Sequence, residues 1–191
     1  MDKDTATADQ GGKAHGAYHH GDLRAALIAA AAEQVEREGP EGVHLSRLAK
    51  ALGVSQPAPY RHFDSREALL SAVAQEGFSR YSAEVDAAGK QGSRFAAPAK
   101  IVQAHVAFGL AHAGLYRLIF ASRGREAPEM AAAFEVLFQA VRDVGYGQGA
   151  RRRAVRLWAA AHGVVMLADQ GLFEREVTTM PLIKLIEDII A

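Results

Sequence analysis

The sequence contains no cysteine, which excludes disulfide bonds, thiolate metal sites and a cysteine nucleophile. It also lacks a net charge, because 22 basic residues are balanced by 22 acidic ones, so any surface that attracts nucleic acid must be a local one. The longest apolar stretch, around residues 157–168, is too short to span a bilayer and contains His162. The residues after Met1 form no apolar signal segment. We therefore expect a soluble cytoplasmic protein that does not enter a membrane.

Motifs that carry chemistry are equally scarce. The sequence has no phosphate-binding loop and no serine nucleophile at a catalytic spacing, so we expect neither an enzyme nor a cofactor. His15, His19 and His20 suggest a metal site, but no fourth ligand stands at a recognisable distance from them. We interpret residues 1–17 as a disordered polar tail, and we expect no bound metal.

Helical periodicity dominates the rest of the sequence, and no strand-like alternation interrupts it. We predict an all-α fold of about nine helices. Asp22 is the expected N-cap of a first long helix that ends near Glu38, and Ser65 is the expected N-cap of another that runs toward Val85. The helices predicted after that one cover residues 98–111, 115–122, 128–144, 151–173 and 181–191.

Residues 43–63, VHLSRLAKALGVSQPAPYRHF, form the most informative stretch. Gly53 stands where a helix commonly ends in the left-handed conformation, and Ser55 offers the N-cap of a second short helix. Helix, glycine turn and helix make up the helix-turn-helix pattern, whose second helix enters the major groove of DNA. The alternative is an ordinary helical hairpin of a small bundle. The apolar face of the first helix is formed by Leu45, Leu48, Ala49 and Leu52, at i, i+3, i+4 and i+7.

The second of these short helices carries side chains suited to DNA. If Pro59 and Phe63 face the core, the residues around them point outward. Glutamine pairs bidentately with adenine, proline and alanine contact a thymine methyl group, and tyrosine, arginine and histidine reach phosphates. Because Pro59 has no N–H for the carbonyl of Ser55, we expect an irregular turn there. The outward residues are Gln56, Pro57, Tyr60 and Arg61, while Ala58 and His62 are further candidates for contact with a thymine methyl group and a phosphate.

The charges close to this segment are predominantly positive. Arg47, Lys50, Arg61 and Arg66 are opposed within it only by Asp64. The neutral chain therefore contains a basic patch at the position where a helix-turn-helix would approach phosphates.

The run LAKALGVSQPAPYRHFDSREALL resembles the amino-terminal domain of the TetR (tetracycline-repressor) family of transcriptional regulators, over residues 18–72. The resemblance implies a DNA-binding domain over residues 18–66, followed over residues 67–191 by a connecting helix and a body for ligand binding and dimerisation. His44 and Ser46 depart from the family, which commonly has threonine and arginine there. It also implies that His62 and Arg66 hold phosphates, so the candidate DNA contacts are Arg47, Gln56, Pro57, Ala58, Tyr60, Arg61, His62 and Arg66.

The body contains FGLAHAGLYRLIF and LWAAAHGVVMLA, which resemble the carboxy-terminal domain of a TetR subgroup marked by Trp, His and Gly, here Trp158, His162 and Gly163. Trp158 and His162 are four residues apart and share a helix face, with the histidine as a polar anchor on an apolar wall. The alternative is a tightly packed core with a satisfied histidine. The candidate pocket residues are Phe108, Tyr116, Phe120, Phe134, Phe138, Trp158, His162 and Met166.

Apolar residues on the last two predicted helices, 151–173 and 181–191, exceed the need of one core face. The resemblance implies that such a pair forms a four-helix bundle across a homodimer, as a palindromic operator requires. We therefore expect a homodimeric repressor that binds double-stranded DNA and is released by a small apolar or aromatic effector. Two alternatives stay open: a DNA-binding or protein-interaction module without an effector pocket, and a small enzyme using His162 with a carboxylate such as Asp169.

Overall fold

The computed structural model describes residues 20–120 and 128–171, with side chains from 23 to 120 and from 131 to 171. Over these residues the chain is all-α, as predicted, and contains no strand. The predicted tail 1–17 and the predicted last helix 181–191 lie outside the described residues. The seven α-helices are α1 His20–Glu38, α2 Leu45–Ala51, α3 Arg66–Gly89, α4 Ala97–Ala111, α5 Ala113–Phe120, α6 Pro128–Asp143 and α7 Ala150–Asp169.

Two predicted helix ends are wrong. The chain is already helical at His20, so Asp22 lies inside the first turn of α1 and is not its N-cap. Helix α7 ends at Asp169, four residues before the predicted end at 173, because Gly171 adopts a φ of 75° that terminates helices. No helix within the described ranges is long and apolar enough to cross a membrane.

Helices α1 and α2 form the head together with the segment that follows α2. The inner face of α1 is buried through Leu27, Ala31 and Val35, and it packs with Leu48 of α2 and Phe63 in one apolar core. Ser65 caps α3 as predicted, since its Oγ accepts the backbone N–H of Ala68 at 3.1 Å. The head is therefore held by side chains that recur at helical spacing and by a cap that the sequence predicts.

Helices α3 to α7 form the body. The long helix α3 packs on α4, and α7 packs on both α4 and α6. Gly109 allows α4 and α7 to approach closely, since a Cβ there would come within 2.5 Å of Val165 Cγ1. This close approach brings the candidate pocket residues of α4 and α7 to neighbouring positions.

The head contacts the body through more than the connecting helix α3. At the start of α5, the backbone N–H of Gly114 donates to Glu36 Oε2 of α1 at 3.0 Å, and His112 Nδ1 lies 3.3 Å from Glu36 Oε1. A Cβ at Gly114 would clash with the carbonyl oxygen of Val35, so α5 begins directly against the backbone of α1. A signal from the body can therefore reach the head through the start of α5 as well as through α3.

Candidate nucleic-acid interface and aromatic cluster

The turn after α2 has the predicted geometry, whereas the second short helix does not. Gly53 has a φ of 67°, the left-handed conformation expected there. The segment that follows is a turn over residues 56–58 and a 3-10 helix, Pro59–Arg61, where the sequence predicted a helix capped by Ser55. Pro59 has no N–H to donate to the carbonyl four residues earlier, so the α-helical pattern is interrupted there. The segment instead forms 3-10 hydrogen bonds between residues three apart, such as Arg61 N–H to the carbonyl of Ala58 at 3.2 Å.

Side chains of this segment divide as predicted between core and solvent. Pro59 and Phe63 are buried and anchor the segment to the head. Tyr60 is 54% exposed, an unusual fraction for a large apolar ring, and Gln56 and Arg61 are exposed beside it. Of the remaining candidates, Pro57 is exposed, while Ala58 and His62 are half-buried.

The charge balance of this surface is less positive than its local sequence indicates. Arg47 lies 3.4 Å from Glu38 and Arg66 lies 3.2 Å from Glu41, so the prediction that Asp64 alone opposes the cations is wrong. Both carboxylates come from the segment before α2, outside the stretch considered in the sequence. Exposed ion pairs contribute little, about 0–1 kcal/mol, so Arg47 can exchange its glutamate for a phosphate at small cost.

Arg66 has a set of partners that its sequence position does not reveal. Its Nε donates to the carbonyl of Val43 at 2.9 Å and its Nη2 to the carbonyl of Pro40 at 2.5 Å. The side chain is only 27% exposed. Arg66 therefore ties the start of α3 to the segment before α2, and its proposed role as a phosphate contact stays a prediction.

The candidate pocket residues come together from α4, α5, α6 and α7. The ring of Trp158 lies 6.1 Å from that of Phe120 and 6.2 Å from that of Phe134, which stacks on Phe138 at 6.4 Å. Three of the eight are buried, namely Phe108, Tyr116 and Phe120, and five are half-buried, namely Phe134, Phe138, Trp158, His162 and Met166. The aromatic cluster of these eight residues is thus continuous from the core to a partly open side.

Two residues that the sequence analysis did not select as site residues, Tyr81 and His105, link this cluster to α3. Tyr81 Oη lies 2.8 Å from His105 Nδ1, and His105 Nε2 lies 2.7 Å from Tyr116 Oη. Tyr116 Oη lies 2.5 Å from His162 Nδ1. A histidine inside the apolar run of α4 was the available signal, because a buried polar side chain must find partners.

Burial keeps all four of these groups neutral. His105 is 2% exposed, and desolvation, together with the nearby His162, lowers its pKa to about 3. Desolvation also lowers the pKa of His162 and raises the pKa of Tyr81 and Tyr116. At neutral pH the chain of hydrogen bonds therefore contains two neutral imidazoles and two neutral phenols.

The structure does not support the catalytic pair of His162 with Asp169. Asp169 accepts a hydrogen bond from Arg117 Nη1, while His162 Nδ1 is bonded to Tyr116. Among residues 20–120 and 128–171, no group of three potential ligands is placed to hold a metal ion.

A surface cleft of about 270 Å³ lies away from Trp158, between the end of α3, the start of α4 and α6. Charged side chains contribute to its wall, among them Asp86, Lys90, Arg94 and Asp143. None of the eight aromatic-cluster residues lines it. This cleft therefore differs in place and in chemistry from the predicted effector site.

The outer face of α7 carries apolar side chains that the described body does not cover. Val155 is 51% exposed and Leu167 is 40% exposed, and they stand on either side of Gly163 along the helix. A Cβ at Gly163 would meet nothing within 4 Å. The face is thus open at Gly163, and it carries these two apolar side chains together with the exposed Arg152 and Arg156.

Two protein families match this sequence, one at each end. Residues 27–73 match bacterial regulatory proteins of the tetR family, and residues 99–184 match the tetracyclin repressor-like carboxy-terminal domain. The class C tetracycline repressor protein of Escherichia coli is 48% identical over 52 residues, which is 27% of this chain. The match spans about a quarter of that repressor's own length, 24%.

Solved structures resemble the whole fold. A protein with unknown function from Rhodococcus sp. RHA1 has a TM-score of 0.79 and 30% identity, covering 92% of this chain and 97% of that one. A TetR variant from Acinetobacter baumannii AYE in complex with minocycline has a TM-score of 0.59 and 20% identity, covering 86% and 92%. The subgroup marked by Trp158, His162 and Gly163 is not distinguished by these similarities and stays a prediction.

Proposed function

We propose a function from one premise: the chain belongs to the bacterial tetR family of transcriptional regulators and has a helix-turn-helix DNA-binding domain. The proposal is that it acts in the cytoplasm as a homodimeric repressor. Each head binds one half of a palindromic operator, and a small apolar or aromatic effector bound in the body releases the DNA.

The observation that carries the DNA-binding proposal is the division of the 3-10 segment between core and solvent. Pro59 and Phe63 hold the segment rigidly against the head, while Gln56, Tyr60 and Arg61 face outward together. Rigid support matters because a base contact is lost if the side chain can move by even a small distance. An amide, a phenol and a guanidinium are also the groups that read bases and hold phosphates.

The test begins with selection of bound sequences from a random pool of DNA duplexes, followed by affinity measurements on the selected operator. Tyr60→Ala and Arg61→Ala should each weaken operator binding about tenfold or more, at unchanged thermal stability, because neither side chain supports the core. Ser79→Ala, on the exposed side of α3, is the matched control and should bind normally. Unchanged affinity in both Tyr60 and Arg61 variants would refute the assignment of this segment.

The exposed apolar side chains on the outer face of α7 support the homodimer. A two-fold axis near Gly163 would allow two copies of α7 to approach closely and cover Val155 and Leu167. Val155→Asp should shift the protein toward monomer in sedimentation at low concentration. Ala107→Asp, an equally polar change at an exposed position of α4, should leave the dimer intact.

The aromatic cluster supports the effector site. It is apolar, half-open at Trp158, and contains one polar side chain, His162, near that opening. A TetR variant of similar fold is known in complex with minocycline. Effector binding releases DNA only if the effector prefers the DNA-incompetent conformation, and a coupling of about 1–3 kcal/mol is typical.

Titration of Trp158 fluorescence tests this site, because Trp158 is the single tryptophan of the chain. A panel of apolar and aromatic compounds, minocycline included, is titrated with and without operator. A compound that shifts the emission and lowers operator affinity supports the repressor mechanism. If the protein binds the operator but none of the compounds, the result favours the alternative of a DNA-binding module without an effector site.

A further inference from the structure

Four polar side chains form a single file of hydrogen bonds through the body. Tyr81 of α3, His105 of α4, Tyr116 of α5 and His162 of α7 are joined by bonds of 2.8, 2.7 and 2.5 Å. No other hydrogen bond to these four side chains occurs among the described residues. We call this series the Tyr81–His162 relay.

Three arrangements place a proton in every bond of the relay, because a neutral imidazole carries one N–H, a phenol carries one O–H, and a phenol oxygen can also accept. In the outward arrangement Tyr81 donates to His105 Nδ1, His105 Nε2–H donates to Tyr116, and Tyr116 donates to His162 Nδ1. In the inward arrangement every donor is reversed. In the third arrangement Tyr81 donates to His105 Nδ1, and Tyr116 accepts from both His105 Nε2–H and His162 Nδ1–H, so that its own O–H points away from the relay.

The burial of Tyr81 and Tyr116 decides among the three arrangements. Tyr81 is 1% exposed, and His105 is its single hydrogen-bond partner among the described residues. In the inward arrangement the buried Tyr81 O–H would donate to nothing, which is costly. In the third arrangement the O–H of Tyr116, which is 1% exposed and has only the two imidazoles as partners among the described residues, would likewise donate to nothing. Only the outward arrangement gives each proton within the relay an acceptor.

We propose that the relay fixes His162 as the Nε2–H tautomer and that this N–H selects neutral effectors carrying a hydrogen-bond acceptor, such as a ketone. This inference rests on the proposed effector site for its ligand, but not for its tautomers. Nε2 of His162 has no partner among the described residues, and the residue is half-buried beside Trp158 on the same helix face. The donor at the end of the relay is therefore available to a bound molecule.

The surroundings favour a neutral acceptor over an anion. Both imidazoles are kept uncharged by burial, which lowers their pKa values. The guanidinium of Arg117, next to Tyr116, is paired with Asp169. Arg151 is exposed and lies over the rings of Phe134 and Phe138, 5.7 and 5.6 Å from their centres, on the outer part of the cluster.

The tautomers are tested on the full-length protein without any ligand. Long-range proton–nitrogen correlation spectra of the ¹⁵N-labelled histidines report which ring nitrogen carries the proton, and His162→Gln, which removes one signal, assigns His162. We expect Nε2–H at His105 and at His162. Nδ1–H at His162, whichever tautomer His105 has, would overturn the proposal, whatever the protein binds.

Tyr81→Phe tests the cause. It removes one buried oxygen and with it the donor that selects the outward arrangement, so a measurable Nδ1–H fraction should arise at His162, two helices away. Tyr60→Phe is the matched control, since it removes a phenol from the exposed head and should leave the histidine spectrum unchanged. An unchanged tautomer at His162 in Tyr81→Phe would refute the selection by Tyr81.

The ligand class is tested by calorimetry with three compounds of one ring system: fluorene, fluorenone and fluorene-9-carboxylate. Fluorenone should bind about threefold to tenfold more tightly than fluorene, the range for one neutral hydrogen bond. His162→Leu should abolish that difference while fluorene binding persists. A preference for the carboxylate, or for fluorene, overturns the proposed ligand class, and binding of none of the three with normal tautomers refutes the effector site and leaves the relay established.

Discussion

Polar side chains have opposite surroundings in the head and in the body. In the head Gln56, Tyr60 and Arg61 face water and are available to a partner molecule. In the body the polar groups of Tyr81 and His105 are buried and contact each other. Exposed polar groups can form hydrogen bonds with a binding partner. Buried polar groups must form hydrogen bonds with one another, and their orientation is therefore fixed.

The boundary between the two regions shows a third arrangement, in which the backbone at the start of α5 packs directly against α1. Gly114 donates to Glu36, and the absence of a Cβ lets α5 begin against the carbonyl of Val35. His112 joins the same junction, because its Nδ1 lies 3.3 Å from Glu36 Oε1, and its Nε2 lies 2.7 Å from Arg80 Nη2 of α3. A change in the body can therefore reach α1 directly, and the following predictions separate the roles of head, body and junction.

The largest effect on stability is expected at the junction. Gly114→Ala places a methyl group against the carbonyl of Val35 and within 2.9 Å of Glu36 Cα, so α1 and α5 must separate. We expect a loss of about 1–3 kcal/mol in the free energy of unfolding, measured by urea denaturation. Gly149→Ala, where a Cβ meets nothing within 4 Å, should change stability by less than about 0.5 kcal/mol. Equal stabilities of the two variants would contradict the close packing at the junction.

The body should lose stability in mild acid because His105 is buried in its neutral form. Its folded pKa of about 3 lies below the value near 6.5 expected in the unfolded chain, so between these values only the unfolded chain takes up the proton. This contribution to stability is complete above pH 6.5 and is lost as the pH falls toward 3, by about 2 kcal/mol between pH 7 and pH 5.

Urea denaturation at a series of pH values measures this loss. His105→Gln cannot titrate, so its stability should fall about 2 kcal/mol less between pH 7 and pH 5 than that of the unchanged protein. His44→Gln, at an exposed position whose side chain makes no cap bond, should keep the original pH dependence. Parallel curves for all three proteins would show that His105 does not control the acid response.

Substitution of two arginines of the head should distinguish a role in stability from a role in DNA binding. Arg66→Ala removes the donors to the carbonyls of Val43 and Pro40, and we expect about 1–2 kcal/mol of lost stability. Arg61→Ala should leave stability within about 0.5 kcal/mol and instead reduce the salt dependence of DNA binding by about one phosphate contact. If Arg66→Ala kept full stability and lost DNA affinity, the prediction from the sequence that Arg66 contacts a phosphate would be supported instead.

The smallest effect is expected at Gln56, and it concerns sequence preference alone. Its amide nitrogen lies 3.5 Å from the carbonyl of Ser46, a weak contact that DNA can replace. Gln56→Ala should relax the preference at one symmetric position of each half-site by about 1 kcal/mol, in repeated selection from the random pool. An identical selected sequence would show that Gln56 contacts only the DNA backbone.

Spacing along the sequence predicted the head well, because its elements are local. The burial of Pro59 and Phe63, the left-handed Gly53 and the Ser65 cap each depend on residues at most a few positions apart. The 3-10 conformation of the second short segment was only partly foreseen. The sequence showed that Pro59 loses one helical hydrogen bond. Whether the whole segment then adopts 3-10 hydrogen bonding depends on the packing around it.

For the body, the sequence predicted which residues share a helix face, but it did not predict which side chains contact one another. Aromatic residues at helical spacing indicated an apolar cluster, and the eight candidates do come together. Tyr81 and His105 were missed as site residues because they lie 24 positions apart, on helices whose relative rotation the sequence does not state. The partners of Arg66, 23 and 26 residues away, were missed for the same reason.

By itself, the sequence determined the helical class, the glycine turn of the head and the outward residues after it, since periodicity, caps and prolines act over a few residues. Its resemblance to known regulators indicated the family. Only the tertiary structure decided which buried groups meet. A hydrogen bond needs its two atoms within about 3 Å, and such a distance follows from the approach of whole helices, set here by glycines such as Gly109 and Gly114. That is why the relay and the junction with α1 became visible only in the folded chain.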